Sequence, residues 1–351
     1  MKIAVIKGDG VGKEVITSTL SVADKLIKKY KLPIYFEELP YGADHFLKTG
    51  ISIENDVLLS LKQKYNAVLL GALGDPRVKN HKHARDLITG LRQKLDLYVN
   101  ERPVKTISED LSPLKNTDAK NKTNFVVFRE NTEDIYSNIG GNLKQNSSNE
   151  VSIDCAVHTF HGVERFIKSA FGFAQRNGIK NITLSDKSNA MQYTGNLWQR
   201  VFWQIANQYK EIDCSHMFID ALCMDIIKSP GKYELIVTSN LFGDIITDLA
   251  AQIQGGMGMA ASANYNPEDK NFYGVFEPVH GSAPDIAGKN IANPIGALLS
   301  FKLLLEKASY AETANDLDSA IHEVILNKIY TKDLGGGYST TEITEKIKSE
   351  L

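Results

Sequence analysis

The sequence predicts an α/β protein with a partly parallel sheet, because short apolar runs alternate with longer segments of helical spacing. The predicted strands are Ile3–Ile6, Ala67–Leu70, Phe125–Phe128, Ile182–Ser185, Met217–Ile219 and Leu235–Thr238. The predicted helices are Val15–Lys29, a segment through Leu197, Val201 and Ile205, Pro294–Leu305, and a last helix after Thr340. The stretches Lys115–Asn124 and Gly141–Glu150 are rich in Asn, Lys and Ser and are expected to be surface loops, or an excursion between subdomains.

Length and composition narrow the class of protein. A chain of 351 residues favours two domains, and a hydrophobic content of 42% is enough for a large core. The net charge of −2 gives no electrostatic reason to expect nucleic acid or a membrane surface as a partner. The first apolar run is too short for a signal peptide, no run approaches a membrane span, and the three cysteines lack CxxC spacing. We expect a cytoplasmic or organelle-matrix protein with free thiols.

A glycine-rich turn, Gly8-Asp-Gly-Val-Gly-Lys-Glu14, follows the first predicted strand. A dinucleotide-binding fingerprint would require glycine in place of Lys13, and a P-loop would require serine or threonine in place of Glu14. Neither requirement is met. The segment therefore predicts a tight turn from a strand into a helix.

Two carboxylates, Asp244 and Asp248, lie four residues apart in a predicted helix that follows Asn240. Stacked on one helix face, they repel each other unless a cation lies between them, and hard oxygen ligands suit Mg²⁺ or Mn²⁺. The simpler alternative is one carboxylate at a helix terminus and one in solvent. Apolar neighbours such as Ile245 predict a mostly buried helix, which favours the cation site because buried carboxylates need partners.

Basic and aromatic side chains lie at the ends of predicted strands. Arg129 directly follows one strand and precedes Tyr136 by seven residues. Arg92 and Arg102 bracket a strand-like stretch, Asp96–Asn100. Arginine is well suited to bidentate capture of carboxylates, so these positions are candidates for binding an anionic substrate. Each of them alone is more simply explained as a surface charge.

Two more segments carry groups suited to catalysis or binding. Lys187 lies at a strand end in Ser185-Asp-Lys-Ser-Asn189, where a lysine beside a metal can serve as a base. Taken alone, it is more simply explained as a solvated loop lysine. Small residues surround His280 in the segment Glu277–Pro294 and let a backbone approach a ligand closely. Asp285 in that segment could accept hydrogen bonds from a ribose diol.

Together these segments resemble the β-decarboxylating dehydrogenases, the family of isocitrate, 3-isopropylmalate, homoisocitrate and tartrate/malate dehydrogenases. The resemblance covers nearly the whole chain and is most specific in Asn240–Met259 and Glu277–Pro294. It implies a two-subdomain α/β fold that is not a Rossmann fold. The first subdomain would comprise residues 1–100 and 255–351. The second, residues 101–254, would supply the interface of a homodimer with shared active sites.

The resemblance also implies a role for each candidate residue in the oxidation and decarboxylation of a hydroxy-polycarboxylate. Lys187, from the partner subunit, matches the base that takes the hydroxyl proton, and Tyr136 matches the acid that protonates the enol. The carboxylate clamp is matched by Arg92, Arg102 and Arg129. The Mg²⁺ or Mn²⁺ ligands are matched by Asp244, Asp248 and, from the partner subunit, Asp220. The residues matched to cofactor binding are Asn189, Glu277, His280, Gly281, Ser282, Ala283, Asp285, Ile286 and Asn293.

The cofactor preference follows from Asp285 and Ile286. Members of the family with this pair resemble NAD-dependent enzymes, whereas NADP-dependent members carry Lys and Tyr there. An aspartate would accept from both ribose hydroxyls and repel a 2′-phosphate. The expected cofactor is therefore NAD.

The substrate's variable group is expected to contact the helix ahead of Arg92. His83 and Arg85 either face water or meet an extra carboxylate, as in isocitrate or homoisocitrate, and the polar Thr89 agrees with the second alternative. Glu101 could pair with a clamp arginine and alter specificity. The sequence favours a polar 3-substituted malate, with 3-isopropylmalate, tartrate or D-malate as alternatives. A non-catalytic regulatory paralogue is a further alternative, although the acid, the base and the metal ligands are all present.

Overall fold

The computed structural model describes residues 1–115 and 122–351, and within them it confirms the α/β class. The strands are β1 (Lys2–Ile6), β2 (Tyr35–Glu38), β3 (Ala67–Leu70), β4 (Val99–Lys105), β5 (Asn124–Glu130), β6 (Gly140–Leu143), β7 (Val151–Asp154), β8 (Asn181–Asp186), β9 (Asp213–Phe218), β10 (Leu235–Thr238), β11 (Ala261–Tyr265) and β12 (Gly274–Pro278). The helices are α1 (Gly12–Tyr30), α2 (Ala43–Thr49), α3 (Asn55–Lys64), α4 (Lys82–Lys94), α5 (Phe160–Arg176), α6 (Gln192–Ala206), α7 (Ile219–Lys228), α8 (Asn240–Gln254), α9 (Ile295–Lys307), α10 (Ala311–Leu326) and α11 (Thr340–Glu350). No helix in these ranges is long and apolar enough to cross a membrane.

Ten of these strands form one sheet in the order β2-β1-β3-β12-β11-β4-β5-β10-β8-β9. Pairing is parallel toward both edges and antiparallel in the centre, where β11 and β4 lie between β12 and β5. Strands from the two chain ends occupy one half, and strands from the chain middle occupy the other. The sheet continues through β4 and β11 without a break, so the predicted subdomain boundaries stay a prediction.

The two faces of the sheet are covered differently. Alternate side chains of each strand point to opposite faces, so Ile3 and Val5 join one core while Ala4 and Ile6 join another. The first face has one continuous core, formed with α1, α5, α6, α9, α10 and α11. The second face has two separate cores, one with α3 and α4 and one with α7 and α8. A cleft is left between α4 and α8, above the central strands.

Most predicted elements are confirmed. The predictions for β3 and β10 agree residue for residue with the structure, and the other predicted strands and helices differ by a few residues at their ends. Residues 116–121 of the predicted loop Lys115–Asn124 lie outside the described residues.

Two local predictions were wrong. The stretch Gly141–Glu150 is not all loop, because its start belongs to β6, which pairs antiparallel with β7. All residues of this hairpin are exposed, so it lacks the apolar alternation that marks a strand. The stretch Asp96–Asn100 is not a strand at its start, since Asp96 has a left-handed backbone (φ 50°) and β4 begins at Val99.

Candidate active site

A cavity of about 350 Å³ lies between α4 and α8 over the central strands. Its lining combines guanidinium groups, two carboxylates, one phenol and some apolar surface. The predicted site residues that line it are Arg92, Arg102, Arg129, Tyr136, Asp244, Glu277, His280 and Gly281. Lining residues that the sequence interpretation did not place at the site include Leu73, Ser262 and Val279. They are small or apolar and carry no sequence signal of their own.

Arg129 is the buried centre of this cavity. It lies at the end of β5 with only 1% of its side chain exposed, and it donates to Asp244 and, at 2.9 Å, to Asn240 Oδ1. Gly243 allows this arrangement, because a Cβ there would lie 2.5 Å from Arg129 Cγ. Burial lowers the pKa of Arg129, yet Asp244 supplies an opposing charge that keeps the guanidinium ionised.

The other two arginines are held by polar partners at the same end of the cavity. Arg102 donates to Asn100 Oδ1 at 3.0 Å and to Thr247 Oγ1, and its Nη2 lies 3.7 Å from Asp244 Oδ1. Burial, reinforced by the nearby Arg129, lowers the pKa of Arg102 to about 9. Arg92 Nη2 lies 3.1 Å from Glu277 Oε1. Three guanidiniums thus share two carboxylates, which leaves a positive end suited to an anionic ligand.

Tyr136 faces the same carboxylate. Its hydroxyl donates to Asp244 Oδ2 at 2.9 Å. Burial raises the pKa of Tyr136, and Asp244 adds to that effect against the opposing charge of Arg129, so the phenol is protonated near neutral pH. A protonated phenol can donate a proton to a bound ligand.

Asp134 positions both Tyr136 and α8, a role that the sequence interpretation missed. Its carboxylate accepts from Ile135 N at 2.8 Å, in the 3₁₀ turn that carries Tyr136. It also accepts from Ser239 Oγ at 2.8 Å and from Leu241 N at 3.0 Å, at the start of α8. Aspartate is common next to turns, so the sequence around Asp134 gave no sign of this positioning role.

Asp244 and Asp248 lie on one face of α8, as predicted, and their surroundings fit a divalent cation. Burial raises the pKa of Asp248, and the like charge of Asp244 raises it further. Asp248 makes no hydrogen bond or ion pair within residues 1–115 and 122–351. A cation would relieve this repulsion, and carboxylate oxygens are the donors that Mg²⁺ and Mn²⁺ prefer.

The third predicted ligand lies elsewhere in the chain. Asp220, on α7, accepts from Lys187 Nζ at 2.5 Å, and neither residue lines the cavity. The hydrogen bond from Lys187 lowers the pKa of Asp220. Asn189 is exposed in the turn after Lys187. Among the described residues no three acidic, histidine or cysteine side chains form a metal-binding group. Within one chain, Asp220 therefore does not join Asp244 and Asp248.

A second cavity of about 460 Å³ adjoins the first, since His280 and Gly281 line both. The predicted cofactor residues Ala283, Ile286 and Asn293 also line it, whereas Asp285 is exposed beside it. Burial lowers the pKa of His280, and the neutral ring lies with Nδ1 3.0 Å from Gly281 O. Its Nε2 is buried without a partner within the described residues, so it is free to accept from a ligand.

The glycine-rich turn supports this second cavity. Val11 N donates to Ser282 O at 2.8 Å, and a Cβ on Gly10 would lie 2.0 Å from that oxygen. Gly10 also has a left-handed backbone (φ 52°), which glycine adopts without strain. The turn therefore braces the loop that carries Ser282, and its Val11 lines the second cavity.

Two expectations about side chains near the site were wrong. His83 neither faces water nor meets a substrate, because it is buried 2.8 Å from Asp9 Oδ2. Glu101 does not pair with a clamp arginine, since it accepts from Lys307 Nζ at 2.7 Å and from Tyr265 OH at 2.8 Å. Ile245 is 53% exposed, although α8 as a whole is mostly buried as predicted. The partners of His83 and Glu101 are distant in sequence, so no local pattern predicts them. No local pattern predicts the exposure of Ile245 either.

The site has the features of an enzyme that acts on a small anionic substrate: a positive pocket, a protonated acid, a carboxylate pair suited to a cation and an adjoining cavity for a second ligand.

Comparison with known proteins shows which enzymes share this arrangement. The family model for isocitrate/isopropylmalate dehydrogenases matches residues 2–347. A 3-isopropylmalate dehydrogenase of Thermobifida fusca is 39% identical over 351 residues, 100% of this chain and 98% of the relative. A probable tartrate dehydrogenase/decarboxylase of Bacillus subtilis is 38% identical over 352 residues, again 100% and 98%. The crystal structure of isocitrate dehydrogenase from Methylococcus capsulatus superposes with a TM-score of 0.89 at 31% identity, covering 99% of this chain and 98% of that one. The chain belongs to the isocitrate/isopropylmalate dehydrogenase family and is an oxidoreductase.

Proposed function

We propose that this protein oxidatively decarboxylates a 3-substituted malate with NAD and Mg²⁺ or Mn²⁺. The observation that carries the proposal is the joining of the two cavities at His280 and Gly281, with three arginines, Tyr136 and Asp244 on the substrate side. A substrate bound in the first cavity would lie next to a cofactor in the second. When bound, the cation would supply Lewis-acid polarisation and NAD would accept the hydride.

The residues of the chain would supply binding and proton transfer. Arg92, Arg102 and Arg129 would hold the substrate's carboxylates, and their burial keeps the guanidiniums fixed before the substrate arrives. Tyr136, protonated and fixed by Asp244, would deliver a proton after CO₂ is lost. Lys187 of the partner subunit would take the proton of the substrate hydroxyl.

A homodimer is part of this proposal. Apolar side chains are exposed on the helices that carry the acidic residues: Met224 (67%) and Ile227 (47%) on α7 and Ile245 (53%) on α8. The β6–β7 hairpin adds Leu143, which is 62% exposed. We infer that these exposed apolar side chains belong to an interaction surface. Pairing two chains through α7 and α8 would bring Asp220 of one chain toward Asp244 and Asp248 of the other.

The proposal also concerns the variable group that the substrate carries at C3. The sequence favoured an isocitrate-like or homoisocitrate-like substrate. The relatives named above support the alternative better, since they are a 3-isopropylmalate dehydrogenase and a probable tartrate dehydrogenase/decarboxylase. All of these substrates share the malate unit that the three arginines and the carboxylate pair would bind.

The proposal is tested by NADH production with isocitrate, homoisocitrate, 3-isopropylmalate, D-malate and tartrate as substrates. At least one should be turned over in Mg²⁺ or Mn²⁺, and excess EDTA should abolish that activity because Asp244 and Asp248 alone cannot replace the cation. Folded protein that turns over none of the five would instead support a non-catalytic paralogue.

The cofactor preference is a separate prediction. We expect kcat/KM for NAD to exceed that for NADP by at least about 10-fold, because a carboxylate at position 285 repels a 2′-phosphate. Asp285→Lys should reduce this preference, and Lys289→Ala, at an exposed residue of the same loop, should not. Comparable rates with NAD and NADP at equal concentration in the unmodified protein would refute the preference.

A further inference from the structure

A buried polar cluster holds the turn that carries Lys187, and none of the roles above uses it. Asp186 is the last residue of β8, and only 8% of its side chain is exposed. Its Oδ1 accepts from Ser188 N at 2.9 Å. This hydrogen bond spans Lys187, so it fixes the backbone of that lysine in a closed turn.

Two neighbouring elements hold Asp186 in place. His216 Nε2, on β9, lies 2.9 Å from Asp186 Oδ1, and Gln199 Nε2, on α6, donates to Oδ2 at 3.2 Å. These two nitrogens are 3.2 Å apart and converge on the same carboxylate. A carboxylate only accepts, so His216 Nε2 carries the proton of its hydrogen bond. Gln199 also donates to Ser188 Oγ at 2.6 Å and thereby holds the turn on the far side of Lys187.

Helix α6 packs directly on this turn. A Cβ on Gly195 would lie 2.3 Å from Ser188 Cβ, so only glycine allows the close approach. Backbone hydrogen bonds from Ala190 N and Met191 N to Lys187 O, at 2.9 and 2.8 Å, close the rest of the turn. The main chain of Lys187 is therefore fixed on both sides before any ligand binds.

The same two strands also deliver Asp220. Strands β8 and β9 are parallel neighbours, with Leu184 paired to His216. Asp220 lies in the first turn of α7, directly after β9, and accepts from Lys187 Nζ. The contact of His216 with Asp186 therefore joins the strand that ends at the lysine to the strand that ends at Asp220.

We propose that His216 and Gln199 are positioning residues for the partner's active site and act through Asp186 on Lys187. The inference rests on the proposed function, in which Lys187 serves the site of the other chain. The cluster contacts the turn of Lys187 and lines neither cavity of its own chain. Loss of His216 should therefore damage only the site to which that lysine is donated.

The first test measures kcat and KM for the malate that the unmodified protein turns over fastest, with saturating NAD and Mg²⁺. His216→Leu should lower kcat roughly 10- to 100-fold, the range for residues that orient a reactive group, and leave KM unchanged because the clamp arginines are intact. Gln199→Leu should act in the same direction with His216 still present. His216→Gln keeps an N–H donor and should recover most of kcat.

The matched control is Ser215→Ala. It removes another polar link between β8 and β9, the 3.0 Å hydrogen bond with Thr183, at a position farther from the lysine. It should leave kcat unchanged, whereas a general weakening of the contact between these strands would lower kcat in this variant as well.

The second test mixes His216→Leu with each of two inactive variants and lets the subunits exchange. With Tyr136→Phe, each mixed dimer has one site that combines an intact Tyr136 with a correctly placed Lys187, so about a quarter of the unmodified activity should return. With Lys187→Met no site is intact, and no activity should be regained. A structural fault throughout the His216→Leu chain would damage both sites and prevent the first recovery.

Two outcomes would overturn the inference and leave the proposed function standing. One is an unchanged kcat in both His216→Leu and Gln199→Leu. The other is failure of His216→Leu to complement Tyr136→Phe when Lys187→Met does complement it. No turnover of any malate by the folded unmodified protein would overturn the proposed function as well.

Discussion

Asp244→Asn should abolish turnover and also destabilise the metal-free protein, whereas Asp248→Asn should abolish turnover alone. Both changes remove a carboxylate from the candidate cation site, and we expect kcat/KM to fall roughly 10³-fold in each. Only Asp244 also neutralises Arg129, whose side chain is 1% exposed. Its loss would leave a buried guanidinium without its anion, which costs about 1–3 kcal/mol because the 42% exposure of Asp244 weakens the pair.

The two effects are separated by measuring thermal unfolding in EDTA alongside initial rates. We expect Asp244→Asn to lower Tm by several degrees and Asp248→Asn to leave Tm unchanged or raise it, since like-charge repulsion is removed. Equal Tm values for the two variants would contradict the role of Asp244 as the partner of Arg129. Full activity in Asp244→Asn would contradict the cation site.

Mixing two inactive variants, Lys187→Met and Tyr136→Phe, should restore activity if each active site is built from two chains. Each variant alone should lose about 10²- to 10⁴-fold in kcat, the usual contribution of a positioned acid or base. A mixed dimer would hold one site with the intact Tyr136 of one chain and the intact Lys187 of the other. Random exchange of subunits makes half of the dimers mixed, and each mixed dimer has one intact site of two. About a quarter of the unmodified activity should therefore return.

The control mixes Lys187→Met with Asp220→Asn, two residues that pair at 2.5 Å within one chain. Both would be supplied to the same site by the same partner, so each site of a mixed dimer would lack one of them and no activity should return. A mixture of Tyr136→Phe with Asp244→Asn, which hydrogen-bond within one chain, should stay inactive for the same reason. If Lys187→Met with Tyr136→Phe also fails to recover, Lys187 and Tyr136 act in the site of one chain and the shared site is refuted.

Local sequence patterns were enough to predict much of the fold. The buried strand Ala67–Leu70 is an uninterrupted apolar run, and Leu235–Thr238 is apolar up to its last residue. Helix α8 is bounded by Ser239 and by Gly255, whose φ of 130° favours glycine. The β6–β7 hairpin was missed because its residues are exposed on both faces, so no burial pattern distinguishes it from a loop.

The candidate site was predicted as a set of residues but not as a set of contacts. Arg129 and Asp244 were both singled out, but their pairing across 115 positions follows only from the parallel pairing of β5 with β10 and from Gly243. The role of Asp134 was likewise invisible, because its partners at Ser239 and Leu241 are about a hundred residues away.

By itself the sequence determined the α/β class, the types of reactive groups and the family that they resemble, because strand burial, helix spacing and motif chemistry are local properties. Only the tertiary structure decided which charges meet. It paired His83 with Asp9 and Glu101 with Lys307, and it left Arg85 at the cavity with one long ion pair, 3.9 Å from Asp86. The physical reason is that the electrostatic energy of a charged side chain depends on the groups nearest to it in space. The order of strands in the sheet determines which groups those are.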